Sequence, residues 1–171
     1  MPFAVESPGV DEAVRPGEAP EGRAARLATA KAQAVSRRNP GALVIGSDQV
    51  AALDGAILDK PGNAARCHAQ LAALSGRTAN FFTACAVVGL DAGIDLVHTD
   101  TTRVVARRLT EAEISRYVER EQPFDCAGGF KVEALGIALF ERVESQDPTA
   151  LVGLPLIWLA AALRRAGLDA P

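Results

Sequence analysis

Hydrophobic positions along the chain change their period several times, and those changes divide it into elements. Residues 2–22 concentrate Pro and Gly and predict an extended opening segment. Residues 22–38 (GRAARLATAKAQAVSRR) are Ala-rich, with Leu27, Lys31 and Val35 recurring every four positions, and Asn39-Pro40 follows them. That pattern predicts a helix. Lys31 stands out on the stripe, because a charge on a buried face costs energy unless it is partnered. The apolar run 42–46 predicts a short buried strand, and Asp54-Gly55 between apolar segments predicts a tight hairpin. Asp48 then falls just beyond the end of that strand. Residues 63–75 predict a second helix, with Asn63 at its N-cap, Gly76 at its C-cap, and Cys67, Leu71 and Leu74 on one face.

Residues 79–90 and 94–108 predict two long strands joined by Asp91-Ala92-Gly93, the second alternating as a half-exposed strand does. Thr110-x-x-Glu113 is a capping box that opens a helix carrying Ile114, Tyr117 and Val118, which Pro123 ends. The run Cys126-Ala-Gly-Gly-Phe-Lys is too Gly-rich for a regular element and predicts a close backbone approach. Residues 137–143 predict a further strand, and Pro155 suits the first turn of a last apolar helix ending near Gly167. Hairpins and helical connections both occur in this order. The expectation is an α/β fold around a mixed sheet.

Length and charge narrow the function classes. A chain of 171 residues without repeats or a long linker fits a single domain over 1–171. With 18 basic against 21 acidic residues, the net charge of −3 argues against a binder of nucleic acid. No window approaches the ~18 uninterrupted apolar residues of a membrane span, and the first residues lack the basic flank and apolar core of a secretory signal. Three well-separated cysteines without a C-x-x-C pair predict neither a disulfide framework nor a zinc site.

The candidate chemistry lies in polar residues that folding alone would not place where they are. Asp48, at the carboxyl end of a buried strand, either faces a ligand or caps the next segment. Asp11-Glu12 either shares a divalent cation with Asp48 or is simply solvated. Lys31, Lys60 and Lys131 together could neutralise a polyphosphate, and Lys60 is restrained by Pro61. His68 and His98 have no second ligand at useful spacing, and Trp158 reads as core. No P-loop or G-x-S-x-G pattern occurs. On residues alone the reading stops at an α/β domain with a cation-assisted cleft for an anionic ligand.

Seven stretches in order resemble the Maf family of nucleoside triphosphate pyrophosphatases: Asp11-Glu12, LATAKAQAV (27–35), VIGSDQV (44–50), LDKP (58–61), LAALSG (71–76), AGGFKVEALGIALFE (127–141) and LVGLPL (151–156). Gln49, the Lys131-Val132-Glu133 segment and DPTALVGLPLI resemble the branch acting on 7-methyl-GTP rather than that acting on dTTP and UTP. The resemblance implies a two-lobed fold with a deep central cleft, a cytoplasmic location, a divalent cation (Mg²⁺ or Mn²⁺) and often a homodimer. It assigns Asp48 as catalytic proton acceptor, and the expected cation ligands are Asp48 and Glu12. Glu12, Lys31, Lys60 and Lys131 match cleft positions, and Gln49 and Glu133 match substrate-selecting ones. Phe130 offers a stacking surface for the base. The family's opening L-A-S-x-S-P-x-R-R strand and turn has no counterpart before Pro2-Phe3. A start codon placed too late is the expected reason; the alternative is a truncated nucleotide-binding regulator of cell division.

Overall fold

The computed structural model describes residues 2–169. A five-stranded sheet in the order β2-β1-β3-β4-β5 forms its centre. The strands are β1 (Val44–Leu53), β2 (Ala56–Leu58), β3 (Thr78–Gly89), β4 (Ile94–Ala106) and β5 (Phe140–Glu144). Four helices flank them: α1 (Pro20–Arg38), α2 (Ala64–Leu74), α3 (Glu111–Glu121) and α4 (Leu156–Arg165). The α/β class holds, but every strand pair is antiparallel, so the sheet is not mixed. The helical connections account for the difference. β2 and β3 run the same way yet flank β1 on opposite sides, so α2 joins them as a split β-α-β unit. Residues 107–139, including α3, leave and re-enter the sheet at one end, so β5 lies antiparallel to β4.

Local signals explain most boundaries. Asp54 (φ 50°) and Gly55 (φ 82°) form the tight turn between β1 and β2. Asn63 accepts the Arg66 N–H at the start of α2, and Thr110 with Glu113 forms the complete capping box of α3. Glu113 is held down at about 2, chiefly by hydrogen bonds from the Thr110 N–H and hydroxyl, then by Arg107. Two strands differ from the sequence expectation. β1 runs ten residues, so Asp48 lies in its middle rather than past its end. The strand expected at 137–143 begins only at Phe140, because Leu135–Leu139 turn as a 3₁₀ segment.

The two faces of the sheet carry different layers. On one, α1 lays Ala24, Ala28 and Ala32 against Val50, Ala84, Ala86 and Val88. The stripe that meets the sheet is therefore Ala24-Ala28-Ala32-Ser36, and Lys31 flanks it, half-buried. On the other face, α2 and α3 cover Ala79 and Phe81, while α4 covers Cys85 and Val87. Thr83, fully buried, separates these two clusters.

The alanine stripe lets α1 approach β1 very closely. A Cβ on Gly46 would lie 2.5 Å from the Ala28 carbonyl and 2.6 Å from the Ala32 nitrogen. Both are backbone atoms, which cannot move aside without displacing the helix. Gly46→Ala is therefore expected to destabilise the protein by about 1–3 kcal/mol in denaturant unfolding, and an unchanged midpoint would contradict this packing.

Candidate functional site

β2 is only three residues long and pairs with Ala51–Leu53 of β1. The first part of β1, through Val50, therefore has no neighbour on that side and forms an open edge of the sheet. A cavity of about 570 Å³ opens along this edge. Seven of the residues singled out from the sequence line it: Glu12, Lys31, Asp48, Gln49, Lys60, Lys131 and Glu133, whereas Asp11 does not.

Three of these residues form an ion-pair triad. The Lys31 Nζ lies 2.6 Å from an Asp48 carboxylate oxygen and 2.8 Å from one of Glu12. Asp48 reaches it because Gly46, Asp48 and Val50 share the sheet face that α1 covers, and Gly46 admits the helix. Burial raises the Asp48 carboxyl above the ordinary aspartate value, and the Lys31 hydrogen bond opposes that rise without cancelling it. Burial alone would lower the Lys31 ammonium, but its bonds to Asp48 and Glu12 prevail and raise it. Glu12, more exposed, is lowered chiefly by its hydrogen bond from Lys31. Ionised Lys31 and a comparatively basic Asp48 follow from this set. The sequence pair Asp11-Glu12 is split: Asp11 accepts the Ala13 N–H in its own turn, and only Glu12 joins the triad.

Packing delivers the other walls. The Pro61 segment is held by the Gly62 N–H donating to the Phe124 carbonyl and by the Gln70 amide donating to the Asp59 carbonyl, which places exposed Lys60 at the rim. Gly128 and Gly129 have φ of 74° and 73°, and a Cβ there would meet Phe81 and the Cys67 sulfur at 3.0 and 3.1 Å. This is the close approach that the Gly-rich run predicted. The Lys131 N–H then donates to the Tyr117 hydroxyl, and the Gly136 N–H closes back on the Lys131 carbonyl. Lys131 stands 3.7 Å from Asp125, and Glu133 is exposed. On the remaining side the Gln49 amide group faces Thr83 and the Ala150 and Leu151 carbonyls. The Ser47 hydroxyl sits between the Ala84 and Gly153 carbonyls.

Phe130 lines the cavity, but little of its ring is open to it. It is 5% exposed and packs edge-on against Phe81 and Phe140. Trp158 is half-buried against α4's cluster and stacks on His98, and His68 pairs with Glu111. Sequence reasoning missed Arg23 and Asp59, which also line the cavity. Arg23 was legible in principle, since Arg23, Leu27 and Lys31 share one helical stripe.

Among the described residues, no three His, Cys, Asp or Glu side chains gather to hold a metal by themselves. Asp48 and Glu12 nevertheless already embrace one positive charge, the Lys31 ammonium. Two carboxylates without a protein cage fit a Mg²⁺-like ion whose other ligands are phosphates and water. Also among these residues, no helix is long and apolar enough to cross a membrane.

Comparison with known proteins agrees with this architecture. The chain matches the family described as Maf-like protein over residues 1–166 and belongs to it. A 7-methyl-GTP pyrophosphatase of Xanthomonas oryzae pv. oryzae is 55% identical over 171 residues, 100% of this chain and 89% of that protein. Proteins of the same name from a Polaromonas species and from Bordetella pertussis are 52% and 50% identical, covering 98% and 99% of this chain and 77% and 84% of their own.

If Lys31 and Asp48 form the pair described, their substitutions are not independent. Lys31→Met and Asp48→Asn, made singly and together, are expected to show a coupling of about 0.5–3 kcal/mol in unfolding free energy. Strict additivity would remove the triad from the account.

Proposed function

We propose that this chain is a nucleoside triphosphate pyrophosphatase that hydrolyses 7-methyl-GTP to the nucleoside monophosphate and pyrophosphate. The observation that carries the reading is the Asp48–Lys31–Glu12 triad in the wall of a cavity also lined by Lys60 and Lys131. The name shared by relatives at 50–55% identity over nearly the whole chain supports the same substrate.

In this reading the oxygen of water bonds to the α phosphorus, and the bridging oxygen departs with pyrophosphate. Asp48 takes the proton of that water, a task for which a carboxylate more basic than usual is suited. Lys31 holds Asp48 in place, and Lys60 and Lys131 offset charge gathering on the leaving pyrophosphate. The cavity's charge balance supports a cation requirement. Arg23, Lys31, Lys60 and Lys131 are outnumbered there by Glu12, Asp48, Asp59, Asp125 and Glu133, so the protein alone does not neutralise a triphosphate. Asp48 and Glu12 would hold a Mg²⁺ or Mn²⁺ arriving with the nucleotide, which when bound neutralises phosphate charge and acidifies water.

Base choice follows from acceptors. The Watson–Crick edge of guanine carries N–H donors, and 7-methylation makes the ring cationic. The Glu133 carboxylate answers both features, and the Gln49 side-chain oxygen adds a second acceptor.

Two measurements test this. Asp48→Asn is expected to lower pyrophosphate release from 7-methyl-GTP by roughly 10²-fold or more while its thermal unfolding stays cooperative; undiminished turnover overturns the assignment. Glu133→Gln is expected to narrow the preference for 7-methyl-GTP over UTP, and an unaltered ratio of kcat/KM values removes Glu133 from selection.

A further inference from the structure

Two arginines three residues apart on α1 differ in how their donors are used. Arg26 is committed: its Nε and Nη2 grip the two Glu18 carboxylate oxygens at 2.5 and 2.7 Å. That is the bidentate arrangement of an arginine committed to structure. Arg23 is not committed in this way. Its Nη2 donates to the Glu12 carbonyl at 3.2 Å, and its Nη1 stands 3.5 Å from Asp59, whose side chain is 60% exposed. Its Nε is shielded from solvent and has no hydrogen-bond partner.

A desolvated N–H without an acceptor is unfavourable and uncommon, and it needs a reason. Here the orphan donor belongs to a side chain that lines the cavity, one helical turn from Leu27 and two from Lys31. The charge of Lys31 is already engaged by Asp48 and Glu12. Arg23 is the neighbouring cation with donors to spare. A guanidinium offers its Nε–H and an Nη–H along one edge, the spacing that two oxygens of a phosphate match.

We propose that Arg23 binds the polyphosphate tail of the nucleotide, its guanidinium turning so that the shielded Nε–H gains an acceptor and Nη1 exchanges its long Asp59 contact for phosphate oxygens. This inference rests on the pyrophosphatase reading and adds to it a phosphate ligand supplied by α1.

The test uses calorimetric titration of pyrophosphate and, separately, of 7-methylguanosine, alongside steady-state kinetics with 7-methyl-GTP. Arg23→Met is expected to weaken pyrophosphate about tenfold or more and to raise KM for the nucleotide, without moving 7-methylguanosine affinity. Arg23→Lys, which keeps the charge but loses the paired edge, is expected to recover only part of the loss. Unchanged pyrophosphate affinity in Arg23→Met overturns the proposal, and so does an equal loss for the nucleoside, which would mark Arg23 as a support for Glu12. If the wild-type protein binds pyrophosphate through Arg23 yet leaves 7-methyl-GTP intact, the phosphate site stands and the hydrolytic reading falls.

Discussion

The Lys31 ammonium between Asp48 and Glu12 is the contact on which the site depends. Two carboxylates facing each other in a half-buried cavity repel, and each has lost hydration to be there. An ammonium bonded to both offsets that cost, but only if the helix carrying it sits unusually close to the strand carrying Asp48. The alanine stripe of α1 and the missing side chain of Gly46 supply that closeness. Glu12 comes from a segment without regular structure, and α1 also fixes it. Arg23 and Arg26 hold the Glu12 and Ala13 carbonyls, and Arg38 holds Glu6 and the Ser7 carbonyl. One helix thus positions two walls of the cavity.

The opening itself comes from a shortage of pairing. β1 continues well past the point where β2 pairs with it, so its backbone edge and the side chains around Asp48 face space rather than another strand. An exposed edge is a hazard in most sheets. Here it is hemmed by α1 and residue 12, by the 125–133 loop, and by residues 151–153.

What could be read beforehand and what could not follow a physical divide. Caps and turns depend on a few adjacent residues, so Asn63, the Thr110–Glu113 box and Asp54-Gly55 were visible in the sequence. The oddity of Lys31 on an apolar stripe was visible as well, although its partners lay 17 and 19 positions away. The length of β1 was hidden, because Ser47, Asp48 and Gln49 break the apolar pattern that marks a strand. They do so since each faces the cavity or a carbonyl rather than the core. The antiparallel sheet was hidden too: whether a helical connection crosses the sheet or returns to the same end depends on tertiary packing. The burial of the Phe130 ring was hidden as well, because a lone aromatic beside glycines looks available until the ring contacts of Phe81 and Phe140 are known.

A polar row crosses the sheet beside the cavity. Gln49, Thr83 and Asp100 are in register on β1, β3 and β4, and Thr83 divides the two hydrophobic clusters of that face. Ser145 bridges Asp100 to the 145–149 loop, and Asp147 accepts from the Thr149 hydroxyl and from the Ile157 N–H at the start of α4. This network fixes the Ala150 and Leu151 carbonyls that the Gln49 amide group meets. Rotating that amide would set its oxygen against two carbonyl oxygens, so the side chain has one favourable orientation. The oxygen is consequently the end left over, an acceptor held by the interior of the fold. Glu133 is exposed on its loop, where hydrogen bonds from the Lys131, Ala134, Leu135 and Gly136 N–H groups hold the backbone but leave its side chain free of such restraint. A rigid acceptor and an adaptable one thus line the same cavity, and the rigid one is tied through Thr83 to the seam between the two clusters.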